Sequence, residues 1–377
     1  MASRPHHYRI LANATPHASR QPWVWMFLTF AIGCVGTLAL APTSARSPRL
    51  ATDSALAPNP VEPLSFGALL ALSDAELDKA DIARVNLLCA ESLPNDPGGS
   101  PSSILTQLNV WSTRVRSETD QYISRFQRNP AEYENSEPYF RMLILTTVIQ
   151  QDFGVRYNPE RVRQPDFRDS RDLFIHGLLS GSHTGTCISM PVLTVAIGRR
   201  LGYPLKLAQT KSHVYVRWEL SGDRHLNFEA TSRGLLMFDD AHYSTWPEPL
   251  TATELASGIF VRALSSKEEL AVFLQARGHC LEDNGRLPEA IVAYAHAHAL
   301  APAMPYTLAF LADAMRKQSP TLRLTAATGS RPRPRSPQEL LHIADQLNAR
   351  NAARLSLPTP SILPIVPNGL FPNGGMP

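Results

Sequence analysis

Three side chains able to share a nucleophilic displacement occur in order along one stretch of the chain: Cys187, His213 and Glu229. A thiol attacks as its thiolate, a neighbouring imidazole takes the proton, and a third group holds that imidazole in place. The residue types therefore suggest cysteine-based acyl chemistry. Their value depends on the elements that would bring them together.

Those elements are legible. Apolar residues at Met190, Leu193, Val195, Ala196, Ile197 and Leu201 describe a helix over Ile188–Leu201, with Pro191 in its first turn and Gly202 just past its end. Cys187 then stands at the helix start, where unpaired N–H groups and the positive end of the dipole favour a thiolate. Strands are expected over Leu205–Thr210 and His213–Leu220, joined by Lys211 and Ser212. A return strand over His225–Ala230 follows the turn residues Ser221–Arg224. A cysteine-bearing helix on an antiparallel sheet belongs to the α+β class.

The hairpin contains a test of the constellation. If Ser221 pairs with Arg224, Glu229 faces Val216 and lies on the opposite side of the sheet from His213. If Leu220 pairs with Arg224 across the loop Ser221–Asp223, Glu229 faces Tyr215 and is the diagonal neighbour of His213, roughly 5–8 Å away. A catalytic role requires the second register, an odd-length loop or a bulge.

The remaining polar and aromatic residues carry weaker signals. Tyr215 and Trp218 read as core or groove wall. His183 and His213 invite a zinc site, but the acid and the helix start fit thiol chemistry better. No metal or cofactor is expected. His225, His242, His279, His296 and His298 read as surface or packing residues. Cys34, Cys89, Cys187 and Cys280 form no CxxC pair, and Cys89 and Cys280 read as buried thiols rather than a disulfide.

At 377 residues and a formal charge of +3, the chain has room for several domains and no charge excess that would call for nucleic acid. Residues 1–21 read as a cytoplasmic N-terminus and 22–41 as a membrane anchor or signal segment. Trp23–Ala41 is uncharged and long enough to span a bilayer. Arg4, Arg9 and Arg20 precede it, which favours an inside N-terminus and a body outside the cytoplasm. Small residues near Ala41 and Ala45 leave open a cleaved signal and a secreted body. Residues 42–63 read as a linker, 64–169 as a helical region, 170–265 as the α+β core and 266–317 as further helices. Residues 318–377 read as a Pro-rich, mostly disordered tail with a helix at Pro337–Leu355.

Gly185-Thr186-Cys187, His213–Val216 (HVYV) and Asn227–Thr231 (NFEAT) resemble the motifs of the transglutaminase-like superfamily in its short bacterial form, in the same order. The resemblance covers roughly residues 170–250 and implies a papain/transglutaminase-like core. It implies that Cys187 attacks an amide or ester, His213 shuttles the proton and Glu229, in place of the more usual Asp, orients the ring. It also makes the Cys187 N–H an oxyanion donor, with Gln209 as candidate for a second. Residues 271–304 resemble one tetratricopeptide repeat through Leu274, Gly278, Leu281, Ala290, Tyr294, Ala297 and Pro302, with Arg277 where a Leu is expected. The resulting expectation is a membrane-anchored, cysteine-dependent peptidase/amidase or acyltransferase acting on a peptide or protein substrate. The alternative is an inactive relative whose cleft and repeat helices bind a peptide or protein partner.

Overall fold

The structure, a computed structural model, describes residues 65–96, 101–162 and 164–328. The apolar segment 22–41, the linker 42–63 and the tail beyond 328, including the helix expected at Pro337–Leu355, lie outside the described residues. Among the described residues no helix is long and apolar enough to cross a membrane.

The helical region begins with three short helices, α1 (Phe66–Leu69), α2 (Asp74–Leu77) and α3 (Ile82–Ala90). Ser73 and Glu76 form the capping box expected of them ahead of α2. The amphipathic helix expected over Ile104–Phe126 is longer, α4 (Pro101–Arg128), and buries Leu105, Leu108, Trp111 and Val115 along one stripe. The expected Tyr139–Phe153 helix divides into α5 (Glu137–Thr147) and a wider π turn at Val148–Asp152. Short helices α6 (Ser170–Leu173) and α7 (Ile175–Leu179) lead to α8 (Ser189–Arg200). The two-residue strands β1 (Arg156–Tyr157) and β2 (Thr184–Gly185) pair in parallel.

The main sheet comprises β3 (Leu205–Thr210), β4 (His213–Glu219), β5 (His225–Glu229), β6 (Leu236–Phe238) and β7 (Arg262–Ala263). All its pairings are antiparallel, in the order β6-β5-β4-β3-β7. Together with the helices this is an α+β fold. The helix α8 packs on β3 and β4, burying Met190, Leu193, Val195, Ala196 and Ile197 in one core with Leu207, Val216 and Phe228. The opposite face of the sheet carries Ala208 and Tyr215. It is covered by Tyr243 from α9 (Asp240–Thr245), whose ring stacks on Tyr215 at 3.7 Å.

After α10 (Ala252–Ala256) come three long helices, α11 (Ser266–Asp283), α12 (Leu287–Leu300) and α13 (Pro305–Thr328). The last runs past 318, so the helical segment extends further than its expected limit at 317. Gly278 lets α11 and α12 approach closely, because a Cβ there would come within 2.3 Å of the Tyr294 ring. The helices are fastened to the rest of the fold by polar contacts. Arg277, where the repeat pattern expects Leu, donates to the carbonyls of Cys89 at 2.9 Å and Glu91 at 2.7 Å, closing the end of α3. The buried Glu269 accepts from both terminal nitrogens of Arg199 on α8 (3.0 and 2.6 Å) and from the Leu207 N–H on β3 (3.2 Å).

Candidate active site

The hairpin adopts the register that a catalytic role requires. Val216 pairs with Phe228 and Arg217 with Asn227, while the Leu220 N–H donates to the Arg224 carbonyl at 2.9 Å across the loop Ser221–Asp223. Gly222 supplies the positive φ of that loop, +68°. Continued by one pair, this register sets Glu229, the last residue of β5, opposite Tyr215 and diagonal to His213, the first residue of β4.

His213 Nε2 lies 2.8 Å from Glu229 Oε2. Because a carboxylate only accepts, the network places the proton on Nε2 and leaves Nδ1 free to serve another partner. The Cys187 side chain lies close enough to the ring to favour its charged form. The carboxylate is itself held. Glu229 Oε1 accepts from the Thr231 N–H at 2.9 Å and from the Thr231 hydroxyl, and Oε2 accepts from the Tyr243 hydroxyl at 3.3 Å. The NFEAT motif thus has a local physical meaning: Thr two residues beyond the acid fixes its rotamer. Gln150 steadies the following loop by donating to the Ser232 carbonyl and accepting from the Gly234 N–H, both at 2.8 Å.

Both ring and carboxylate are buried, His213 to 7 % and Glu229 to 6 % of full exposure, so each feels the other strongly. Burial alone would push the imidazole pKa down. The Glu229 charge, hydrogen bonding of the protonated ring to Cys187 and Glu229, and the Cys187 charge outweigh it, and His213 is pushed up to about 10. Burial would likewise raise Glu229, but the His213 charge and the hydrogen bonds from His213 and Thr231 hold it below its ordinary value. The site stabilises a charged imidazolium–carboxylate pair beside sulfur.

Cys187 occupies the turn that feeds α8. Thr186 caps this turn, its hydroxyl accepting from the Ile188 N–H at 3.2 Å and donating to the Asp172 carbonyl at 2.7 Å. The Thr186 N–H donates in return to the Ser189 hydroxyl at 3.1 Å, and the Met190 N–H to the Thr186 carbonyl at 3.1 Å. Cys187 is half-buried, whereas Cys89 and Cys280 are fully buried. Burial pushes the thiols of those two up to about 12, which leaves them inert.

No family model, curated protein or solved structure matches this chain. The site is therefore read from its own geometry.

Several expected auxiliary positions lie elsewhere. Gln209 pairs with Val214, which puts it on the sheet face opposite His213, and its amide donates to the Tyr306 hydroxyl at the start of α13. Its amide donor is thus already taken by Tyr306. Tyr215 is fully buried against Tyr243, and Trp218 lies in the main core beside Tyr203, so neither lines a groove. His183 does not join His213; its Nδ1 contacts the Leu178 carbonyl at 2.7 Å and its ring lies against Trp111. Among the described residues no group of three His, Cys, Asp or Glu side chains could hold a metal ion. His213 is instead walled by aromatic rings, Trp246 edge-on at 4.8 Å and Tyr243 parallel at 6.3 Å.

One site residue carried no sequence signal. Tyr157 pairs with Gly185, two residues before Cys187, in the parallel β1–β2 ladder, and its hydroxyl donates to the Arg161 carbonyl at 3.3 Å. A two-residue strand has no periodicity to read, and its partner lies far along the chain.

Proposed function

We propose that this chain is a thiol acyl-transfer enzyme acting on amide bonds of peptides or proteins, with Cys187 as nucleophile, His213 as proton shuttle and Glu229 as the group that orients and charges the ring. The observation that carries this reading is the Cys187–His213–Glu229 arrangement, in which the half-buried thiol meets an imidazole already committed to a buried carboxylate. Motif order and the helix-on-sheet setting support a papain/transglutaminase-like core. The apolar segment at 22–41 would tether the body to a membrane, and α11–α13 would offer a surface for a peptide partner.

In the proposed reaction, His213 takes the Cys187 proton and the sulfur attacks the carbonyl carbon. The carbonyl π electrons move to oxygen, which the Cys187 N–H stabilises. When the intermediate collapses, the carbon–nitrogen bond breaks and His213 protonates the departing amine. A water or a second amine, activated by His213, then releases the acyl group.

The test is alkylation of the full chain by iodoacetamide at pH 6, resolved by site with mass spectrometry. Cys187 should label faster than Cys89 and Cys280, and His213→Ala should abolish that advantage. Labelling of Cys187 no faster than the two buried thiols, and indifferent to His213, would reject the enzyme reading in favour of a binding protein that keeps the constellation without its chemistry.

A further inference from the structure

We propose that Tyr243 is a positioning residue for acyl transfer, whose hydroxyl completes the set of donors around Glu229 and so keeps the transferable proton on His213. The inference rests on the acyl-transfer reading and extends it to a residue outside the Cys187–His213–Glu229 constellation.

A carboxylate offers about four lone-pair directions, shared between its oxygens. At Glu229 each of them meets a donor. Oε1 accepts from the Thr231 N–H at 2.9 Å and from the Thr231 hydroxyl at 2.5 Å. Oε2 accepts from His213 Nε2 at 2.8 Å and from the Tyr243 hydroxyl at 3.3 Å. Tyr243 is fully buried, so its hydroxyl is out of reach of solvent. Because a carboxylate only accepts, that hydroxyl donates.

Contacts to the sheet fix the place of this hydroxyl. The Tyr243 ring stacks on Tyr215 at 3.7 Å and lies parallel to the His213 ring at 6.3 Å. Its main chain is fastened by the Thr210 hydroxyl, which donates to the Tyr243 carbonyl at 2.5 Å. The start of α9 is fastened through Asp240, whose Oδ1 accepts from Arg217 Nη2 at 2.6 Å and from Asn227 Nδ2 at 2.8 Å. Both donors lie on the strands that carry His213 and Glu229, so acid, ring and phenol share one support.

When the leaving group departs, His213 is an imidazolium with a proton on each nitrogen, and its Nε2 proton points at Glu229 Oε2. Burial disfavours the charged pair and so favours passage of that proton to the carboxylate, which would leave a neutral imidazole. A neutral imidazole holds its remaining proton too tightly to give it to a departing amine. Donors to the carboxylate oppose the passage, because they stabilise its charged form. Tyr243 donates to the oxygen that would receive the proton. Burial and the Glu229 charge raise the phenol well above its ordinary pKa, so it keeps its own proton. Tyr243 transfers nothing itself; it keeps the ring acidic enough to deliver a proton from Nδ1.

The test compares acylation of the full chain by two reagents that differ in leaving group. p-Nitrophenyl acetate expels nitrophenolate, which departs without a proton; acetyl p-nitroanilide expels an amine, which needs one. Tyr243→Phe keeps the stacked ring and removes the donor. It should slow acylation by the anilide about tenfold, the effect of one long hydrogen bond to a charged group, while acylation by the ester stays within about twofold. An anilide rate unchanged by the substitution overturns the role. So does a parallel fall of both rates, which would mean that Tyr243 merely builds the site. Wild-type protein acylated by the ester and not by the anilide also overturns it, since His213 then delivers no proton to an amine. Wild-type protein acylated by neither would overturn the acyl-transfer reading itself, and this inference with it.

Discussion

An imidazole taken out of water without a carboxylate against its ring sheds its proton, and His279, whose Nδ1 meets the Tyr294 hydroxyl at 2.8 Å, is pushed down to about 4 by burial. His213 is more deeply placed yet is pushed up to about 10, because Glu229 stands 2.8 Å from its Nε2. The sign of the pH dependence follows. The proton that His213 must deliver to a leaving group is held below its folded pKa and lost above it, so acyl transfer to a poor leaving group should fall as pH rises through about 10. Glu229→Gln keeps the size of the side chain and removes the charge. Burial then dominates, and the alkaline limb should move to lower pH while the rate drops by roughly 100-fold or more. A pH–rate profile of both proteins checks this; an unmoved limb would mean that another group governs it. Order and spacing of Cys187, His213 and Glu229 were readable because each sits in a strong local pattern. Gln209 was different, because the partner that takes its amide, Tyr306, lies 97 residues further along the chain.

At the scale of elements, β3, β4, β5 and α8 followed from alternating and helical hydrophobic periods, since both bury one face against the other, whereas the short strands β6 and β7 at the edges of the sheet did not. What escaped was the β1–β2 pair, whose two-residue strands are specified by backbone proximity rather than by composition. Gly185 is the residue that lets β2 lie close against α7 and α8. A Cβ there would come within 2.7 Å of both Leu178 Cδ2 and Met190 Cγ. Gly185→Ala should therefore cost about 1–3 kcal/mol of stability through overpacking and shift the turn that carries Cys187. Urea unfolding and the acylation rate report the two effects separately. A variant as stable and as fast as wild type would show that the turn tolerates displacement. The break of α5 into a π turn likewise had no compositional mark, although it brings Gln150 to the loop behind Glu229.

At the scale of the molecule, the long C-terminal helices are not a free array. Glu269 joins α11 to α8 and β3, Arg277 joins α11 to the end of α3, and Tyr306 at the head of α13 meets Gln209 on the sheet. The sequence pattern marks Arg277 as a departure from an apolar position, and the fold explains it: the guanidinium is spent on two carbonyls of another element and stacks over Phe66 at 4.4 Å. Restoring the pattern with Arg277→Leu should therefore destabilise the protein by about 1–3 kcal/mol, because the Cys89 carbonyl is left buried without its donor. Denaturant titration is the check, and a stabilised variant would mean that hydrophobic packing outweighs the lost bonds. Contacts between distant segments of this kind leave no trace in local periodicity, which is why the helices were legible and their fastening was not.

The loop Ser221–Asp223 gives the hairpin an arithmetic character. Which side of the sheet receives the carboxylate is determined by whether the number of loop residues is odd or even, and hardly by what those residues are. Along a lineage, this loop is free to drift in composition while its count stays fixed. With a three-residue loop kept, loss of one residue would set Ala230 opposite Tyr215 in place of the acid, and gain of one would set Phe228 there.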